Sequence, residues 1–97
     1  SRAKSTEAQL QLSHLHMLEK TYFYLHSKYS DSFEELDFEQ DKLTTEGGTA
    51  NYRIEIAEAT TSSFKAKATA VIDFDGDGKF NVWEIDQNKK LTEITKD

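Results

Sequence analysis

The segment FKAKATAVIDFDGDGKFNVWEI, residues 64–85, decides the fold, because it is compatible with two different structures. Residues 73–84 match the twelve-residue EF-hand loop, with aspartate at positions 1, 3 and 5, glycine at 6 and glutamate at 12. An EF-hand loop lies between two helices, whereas the same loop between two strands forms the turn of a hairpin. The residues that flank the loop therefore distinguish the two folds.

The residues before the loop favour a strand. From Phe64 to Ala70, apolar residues alternate with lysine and threonine, and this period of two is typical of a strand with one buried face. If a strand also follows the loop, Glu84 lies about 13 Å beyond Phe80, at about 3.3 Å per residue. Glu84 then cannot turn back to close a metal site, so the sequence predicts a hairpin.

The loop itself contains three candidate metal ligands, Asp73, Asp75 and Asp77. Three carboxylates at every second position of a glycine-containing turn can bind one Ca²⁺, with backbone carbonyls and water completing the ligand set. The alternative is an Asp-Gly hairpin turn whose acidic side chains only keep the loop soluble. Both interpretations are open at this stage, and Ca²⁺ is the candidate cofactor.

The rest of the C-terminal half also has a period of two. Apolar and charged residues alternate in YRIEIAEA, residues 52–59, and two shorter segments, FNVWEI and residues 91–94, complete four short strands within 52–95. Short connections between consecutive strands predict an antiparallel meander. The alanines of residues 64–70 fall on one face of their strand, which leaves room for a helix to lie close to the sheet.

The first third of the chain predicts one long helix, over residues of about 3–29, with neither glycine nor proline. At about 100° per residue, a broad apolar face forms that should pack on the sheet. This face consists of Ala8, Leu12, Leu15, Leu18, Tyr22, Leu25 and Tyr29. A short helix of about 32–37 should follow, because Ser32 and Glu35 form a capping box. A polar loop, residues 39–51, then leads to the first strand.

A second apolar stripe, Leu10, Met17 and Tyr24, repeats every seven residues on the long helix. It lies more than about 100° from the centre of the first face, so the sheet cannot cover both. One interpretation is that these are ordinary exposed apolar residues on an amphipathic helix. The other is that they are assembly contacts with neighbouring copies.

Composition and motifs argue against several functions. The 97 residues suffice for one domain, and a net charge of −6 argues against a nucleic-acid partner. No apolar run has the length of a membrane span, and cysteine is absent. His14 and His16 diverge by about 200° on a helix and cannot share an ion. No nucleophile elbow, paired-carboxylate constellation or phosphate loop is evident, so we expect no enzyme.

Two segments in this order, AKSTEAQLQLSHLHMLEKTYF (residues 3–23) and SFKAKATAVIDFDGDGKFNVWEIDQNKKL (residues 63–91), resemble the soluble part of a bacterial type IV pilin or pilin-like protein. The resemblance covers nearly the whole chain. It implies a single α+β domain over residues 1–97, with a long N-terminal helix packed on a four-stranded antiparallel meander sheet. The cysteine pair of many pilins is absent from this sequence.

The resemblance also implies a function. The chain would be a structural subunit of a type IV pilus, self-assembling with other pilin subunits into a cell-surface filament for adhesion or motility. Its precursor would face the periplasm, held in the inner membrane by a hydrophobic helical segment that this sequence does not contain. Leu10, Met17 and Tyr24 would be subunit contacts. The alternatives are a pseudopilin of a type II secretion system, whose relatives hold Ca²⁺ in a C-terminal loop, and a stand-alone calcium-binding module.

Overall fold

The protein is described by a computed structural model over residues 2–96, with side chains from residue 4 onward. The helices are α1 (Arg2–His26) and α2 (Phe33–Leu36), followed by a 3-10 turn at Thr44–Glu46. The strands are β1 (Tyr52–Ala59), β2 (Phe64–Ala70), β3 (Val82–Asp86) and β4 (Leu91–Thr95). The predicted α+β class, with a long N-terminal helix packed on a four-stranded antiparallel sheet, is confirmed.

The sheet is a meander in the order β1-β2-β3-β4, with every neighbouring pair antiparallel. Ala68 lies opposite Ile54 on one side and Trp83 on the other, so aliphatic and aromatic side chains flank a row of alanines. The register of β1 shifts after Ile56, which is consistent with the strand becoming more exposed toward its end. The predicted meander is therefore confirmed.

The core lies between α1 and one face of the sheet. Ala66, Ala68 and Ala70 are buried in β2, and their small side chains let α1 approach the strand closely. Leu12 and Leu15 point from α1 onto this surface and are completely buried. Burying a leucine side chain stabilises a fold by about 1.5–3 kcal/mol. No helix within residues 2–96 is both long and apolar enough to cross a membrane.

The end of α1 differs from the prediction. The helix stops at His26 rather than near residue 29, because Ser27 has a left-handed backbone conformation with φ 58°. Leu25, expected in the core, is 74% exposed. The chain turns back after Ser27, so that Tyr29 packs against Phe64 instead, with ring centroids 5.1 Å apart. Leu25 is therefore left outside the core, and Tyr29 is buried from the segment that follows the helix rather than from the helix itself.

The connection from α1 to the sheet forms as expected at its start. Ser32 caps α2, because its Oγ accepts a hydrogen bond from the Glu35 N–H at 3.3 Å. Leu36 and Phe38 are buried and hold this segment against α1. The side-chain amide oxygen of Gln40 accepts from the Ile54 N–H, which ties the following loop to β1.

Candidate metal-binding loop and exposed helix strip

The aspartate loop, residues 71–81, joins β2 to β3. Gly76 and Gly78 have φ values of 75° and 84°, in the left-handed region that other residues rarely adopt. A Cβ at either position would meet no atom within 4 Å, so the backbone conformation, rather than lack of space, requires glycine. The two glycines therefore let the chain reverse tightly between the strands.

The carboxylates of the loop accept hydrogen bonds from its own backbone. Asp73 accepts from the N–H groups of Gly76, at 3.0 Å, and Gly78, at 2.5 Å. The Oδ1 of Asp75 accepts from the Asp77 N–H at 3.2 Å. Such local bonds are the usual way in which aspartate stabilises a turn. They fix these carboxylates within one compact loop.

The three aspartates are close enough to share one ion. One carboxylate oxygen from each of Asp73, Asp75 and Asp77 lies within 4.8 Å of the other two. Oxygen ligands stand about 2.3–2.6 Å from a calcium ion, so two ligands of one ion are at most about 5 Å apart. Asp73 is partly buried and the other two are exposed, which leaves the loop accessible from solvent. These aspartates can therefore bind a metal ion.

Two aspartates of the loop have pKa values shifted in opposite directions. Loss of contact with water raises the pKa of Asp73, but hydrogen bonds, above all from the Gly78 N–H, bring it below its ordinary value. For Asp75, the Asp77 N–H lowers the pKa, but loss of water and the neighbouring Asp77 and Asp73 carboxylates raise it above its ordinary value. A bound cation would relieve this repulsion between the carboxylates.

The last position of the EF-hand pattern, Glu84, lies outside this cluster. Glu84 belongs to β3, where it is opposite Lys67 of β2 and Thr92 of β4. A strand precedes the aspartate loop and another follows it, so the helices that flank an EF-hand loop are replaced by a hairpin. The match to the EF-hand pattern is thus local to the loop.

Asn81 anchors the loop to the sheet, a role that the sequence analysis did not predict. Its side chain is buried, and its Oδ1 accepts from the Tyr52 hydroxyl at 2.5 Å and from the Trp83 indole N–H at 3.0 Å. Its Nδ2 donates to the Glu93 carboxylate at 2.7 Å and to the Thr95 carbonyl at 2.8 Å. Four hydrogen bonds therefore join three strands at one end of the loop.

The second candidate site is the apolar strip, which we define as Leu10, Met17 and Tyr24 of α1. These side chains are 65%, 56% and 85% exposed, respectively. Because Met17 follows the buried Leu15 by about 200° of helical rotation, the strip points away from the sheet. The exposure matches the expectation from helical spacing. Large exposed apolar side chains that repeat along one side of a helix can mark a contact with another molecule.

The two neighbouring histidines of α1 are separated, as predicted. The His14 ring packs against Phe38, with ring centroids 5.9 Å apart, on the side of α2. His16 lies on the other side of the helix, where its Nε2 is 3.3 Å from the Gln87 carbonyl oxygen. Burial lowers the pKa of His16, and nearby Lys20 lowers it further, despite the hydrogen bond to Gln87, which raises it. The two rings cannot bind one ion.

Glu19 is an unexpected charged group in the interior. It lies on the buried side of α1 and is 0% exposed. Its Oε1 accepts from the Ser30 N–H at 2.8 Å, whereas its Oε2 has no hydrogen-bond partner among residues 4–96. Burial and, to a smaller extent, the negative charge of Asp31 raise the pKa of Glu19 to about 7, against the lowering effect of the Ser30 hydrogen bond. Sequence periodicity does not reveal that the Glu19 carboxyl group is buried with one oxygen unpaired.

Comparison with known proteins does not assign this chain to a family. No model of a known protein family matches the chain, and no curated protein matches it significantly. The class of protein that the fold and its two candidate sites define is therefore a small α+β domain. It combines an aspartate loop that can bind a metal ion with an exposed apolar strip on its long helix.

Proposed function

We propose that this chain is the globular part of a type IV pilin-like subunit, which assembles into a surface filament for adhesion or motility. The observation that carries the proposal is the apolar strip, which faces away from the core along α1. A helix that packs one face on its own sheet and presents a second apolar face has the form required of a subunit whose helices also contact other subunits. The sequence resemblance and the α+β architecture support the same function.

The proposal extends to the location of the protein. Subunits of this kind are anchored in the inner membrane, with the globular domain in the periplasm, before they are assembled into a filament at the cell surface. The membrane-anchoring part would be a hydrophobic helical segment preceding α1 in the precursor. Within this proposal, neighbouring copies of the chain and other pilin subunits are the partners, and the domain has no catalytic role.

The test is a charged substitution in the strip. Met17→Glu should leave the thermal unfolding midpoint nearly unchanged, because the side chain is exposed, and should abolish filaments formed by the full-length precursor in its own cells. Unfolding is followed by circular dichroism, and filaments are counted by negative-stain electron microscopy. Ser62→Glu, in the exposed turn between β1 and β2, is the matched control and should keep both folding and filaments. Normal filaments from Met17→Glu would contradict the proposal.

A pseudopilin is the alternative within the same architecture, and it predicts a different phenotype. Deleting the gene of a pilus subunit removes surface filaments and the motility or adhesion that depends on them. Deleting a pseudopilin gene instead leaves substrates of a type II secretion system inside the cell. Assaying surface filaments and secreted protein in the same deletion strain separates the two functions.

A calcium-binding role is the second candidate, and the spacing of the carboxylates in the aspartate loop favours it. Calcium prefers several oxygen ligands in a flexible arrangement, and the loop offers three carboxylates together with backbone carbonyls. Within a filament subunit, the ion would stabilise the β2–β3 connection. In a stand-alone module, calcium binding would itself be the function. Isothermal titration of the metal-free chain with Ca²⁺ and with Mg²⁺ tests binding and preference, and heat signals absent for both ions would exclude this role.

A further inference from the structure

A groove lies at the C-terminal end of α1, where the helix meets α2 and the turn between β1 and β2. It consists of two cavities, of about 310 Å³ and about 270 Å³. Tyr22 and Glu35 line both cavities, so the two adjoin and form one surface. Together they reach the size of ordinary ligand clefts, about 300–1,000 Å³. We call this surface the end groove.

The smaller cavity is the apolar half of the end groove. It is lined by Leu18, Tyr22 and Leu25 of α1 and by Leu36 of α2. Leu36 is buried, whereas Leu25 is 74% exposed although it lines the cavity. A large apolar side chain that covers Leu25 removes apolar surface of both molecules from water, which favours binding. This half opens on a different side of α1 from the apolar strip, because Leu18 is rotated by about 100° from Met17.

The larger cavity is the acidic half of the end groove. Asp31 and Glu35 line it, and both side chains are exposed. One oxygen of Glu35 accepts from the Ser30 hydroxyl at 2.8 Å, and the other accepts from the Tyr22 hydroxyl at 3.4 Å. These bonds hold the carboxylate at the wall of the cavity. An ionised carboxylate offers about four acceptor positions, so Glu35 can also accept hydrogen bonds from a cation.

Several groups give the end groove a negative charge. Asp37 lines the apolar half and Lys28 the acidic half, so three carboxylates face one exposed lysine among the described lining residues. The carbonyls at the C-terminal end of α1 add a partial negative charge. Loss of contact with water has the largest effect in raising the pKa of Tyr22, and neighbouring carboxylates raise it further. These carboxylates are Glu35, Glu19 and Asp31.

From this arrangement we propose that the end groove binds a short peptide segment of another protein, in which a large apolar side chain is next to an arginine or lysine. The apolar side chain packs on Leu18, Leu25 and Leu36, and the cationic group contacts Glu35 and Asp31. Arginine suits this site because its guanidinium donates two parallel hydrogen bonds to one carboxylate. Complementary charge makes the groove select basic segments over acidic ones. This partner is additional to the filament subunits, and its binding does not require filament assembly.

Titration of the ¹⁵N-labelled 97-residue chain with short peptides tests this site by nuclear magnetic resonance. The probes are acetyl-Ser-Leu-Arg-Ser-amide and its reversed order, acetyl-Ser-Arg-Leu-Ser-amide, at millimolar concentration and low salt. At least one of them should shift the amide signals of Tyr22, Ser30 and Glu35. Replacing the arginine of the bound peptide by glutamate, or its leucine by alanine, should weaken binding about tenfold, because each change removes the contact with one half of the groove.

Two substitutions in the groove locate the binding site. Glu35→Gln removes the charge but keeps an acceptor for the Ser30 hydroxyl, and Leu25→Ala removes an exposed apolar side chain, so both variants should fold. Each should bind the peptide about tenfold more weakly than the unmodified chain. Glu39→Gln and Tyr24→Ala are the matched controls, because both side chains are exposed and lie outside the lining of the groove. Both controls should keep the original affinity.

Three results would overturn the peptide site. They are the absence of signal shifts with both probes, equal binding of the glutamate-containing peptide, and unchanged affinity in both Glu35→Gln and Leu25→Ala. Because Met17 lies outside the groove, the effect of Met17→Glu on filaments is independent of these results. The peptide site can therefore fail while the proposed filament function stands, and the reverse is also possible.

Discussion

Replacing the buried carboxyl of Glu19 by an amide should stabilise the protein at neutral and alkaline pH. Glu19 has one oxygen bonded to the Ser30 N–H and a second oxygen buried without a partner among residues 4–96. Ionising such a group inside a protein is unfavourable, which is why its pKa is raised from 4.5 to about 7. Glu19→Gln keeps the acceptor for Ser30 and removes the charge.

The size and direction of the effect follow from the raised pKa. The folded state binds the proton of Glu19 more tightly than the unfolded state, so the carboxyl supports folding fully below pH 4.5 and loses this support as the pH rises through about 7. One pKa unit corresponds to about 1.4 kcal/mol, so the total loss is about 3 kcal/mol. Glu19→Gln has no such loss.

Urea unfolding between pH 4 and pH 9, followed by the fluorescence of Trp83, measures this difference. The free energy of unfolding of the unmodified chain should fall relative to Glu19→Gln across that range, by about 3 kcal/mol in total. Above pH 7, the variant should also melt at least about 10 °C higher. Parallel pH profiles of the two proteins would refute the reasoning.

Glu7→Gln provides the matched control on the same helix. The Glu7 carboxylate accepts hydrogen bonds from the Asn51 N–H and side-chain amide, at 2.8 and 2.9 Å, and from the Tyr52 N–H at 3.2 Å. The amide nitrogen of glutamine at this position would point its N–H groups toward the N–H groups of Asn51 or Tyr52. The same substitution should therefore destabilise the protein by about 1–3 kcal/mol at pH 8. If Glu19→Gln raises the free energy of unfolding and Glu7→Gln lowers it, the effect comes from the burial of Glu19 and not from the loss of a negative charge in general.

Three further predictions concern the loop and the core. If the aspartate loop holds Ca²⁺ at about a hundredfold excess over Kd, a chelator should lower the melting midpoint by about 10 °C. Asp75→Ala should abolish the effect of the chelator, and Glu84→Gln should leave it unchanged. If both substitutions abolish the effect, Glu84 is a metal ligand and the site is not confined to the aspartate loop. Asn81→Ala should destabilise the protein by about 3 kcal/mol in urea unfolding, since it removes the four hydrogen bonds of a buried side chain. Leu15→Ala should lower the free energy of unfolding by about 2–5 kcal/mol, and Leu25→Ala should lower it by less than about 0.5 kcal/mol. Equal losses from the two substitutions would show that Leu25 is buried.

Periodicity predicted the long helix and the strands, and the short connections between strands predicted the meander. The alternation in residues 64–70 follows directly from the geometry of a strand, whose side chains point to opposite faces, and it correctly favoured a hairpin over an EF-hand. Helical spacing likewise separated the buried Leu12 and Leu15 from the exposed Met17. These features were predictable because each depends only on the local direction of side chains along one element.

Tertiary structure decided which residues at the margins of those patterns enter the core. Leu25 and Tyr29 both lay on the predicted apolar face, but the left-handed turn at Ser27 ends the helix and brings only Tyr29 against Phe64. The buried Glu19 receives its hydrogen bond from the Ser30 N–H, which the segment after this turn supplies. Such contacts join residues that are distant in the chain, so no local period encodes them.

The aspartate loop likewise has features that the sequence predicts and features that depend on tertiary structure. The spacing of Asp73, Asp75 and Asp77 was sufficient to predict that their carboxylates gather in one loop, because the loop is short and its glycines let it reverse. The anchoring of that loop by Asn81 depends on donors from β1 and β3 and acceptors in β4. Local spacing therefore determined the elements and the loop, and the packing of distant segments determined their surroundings.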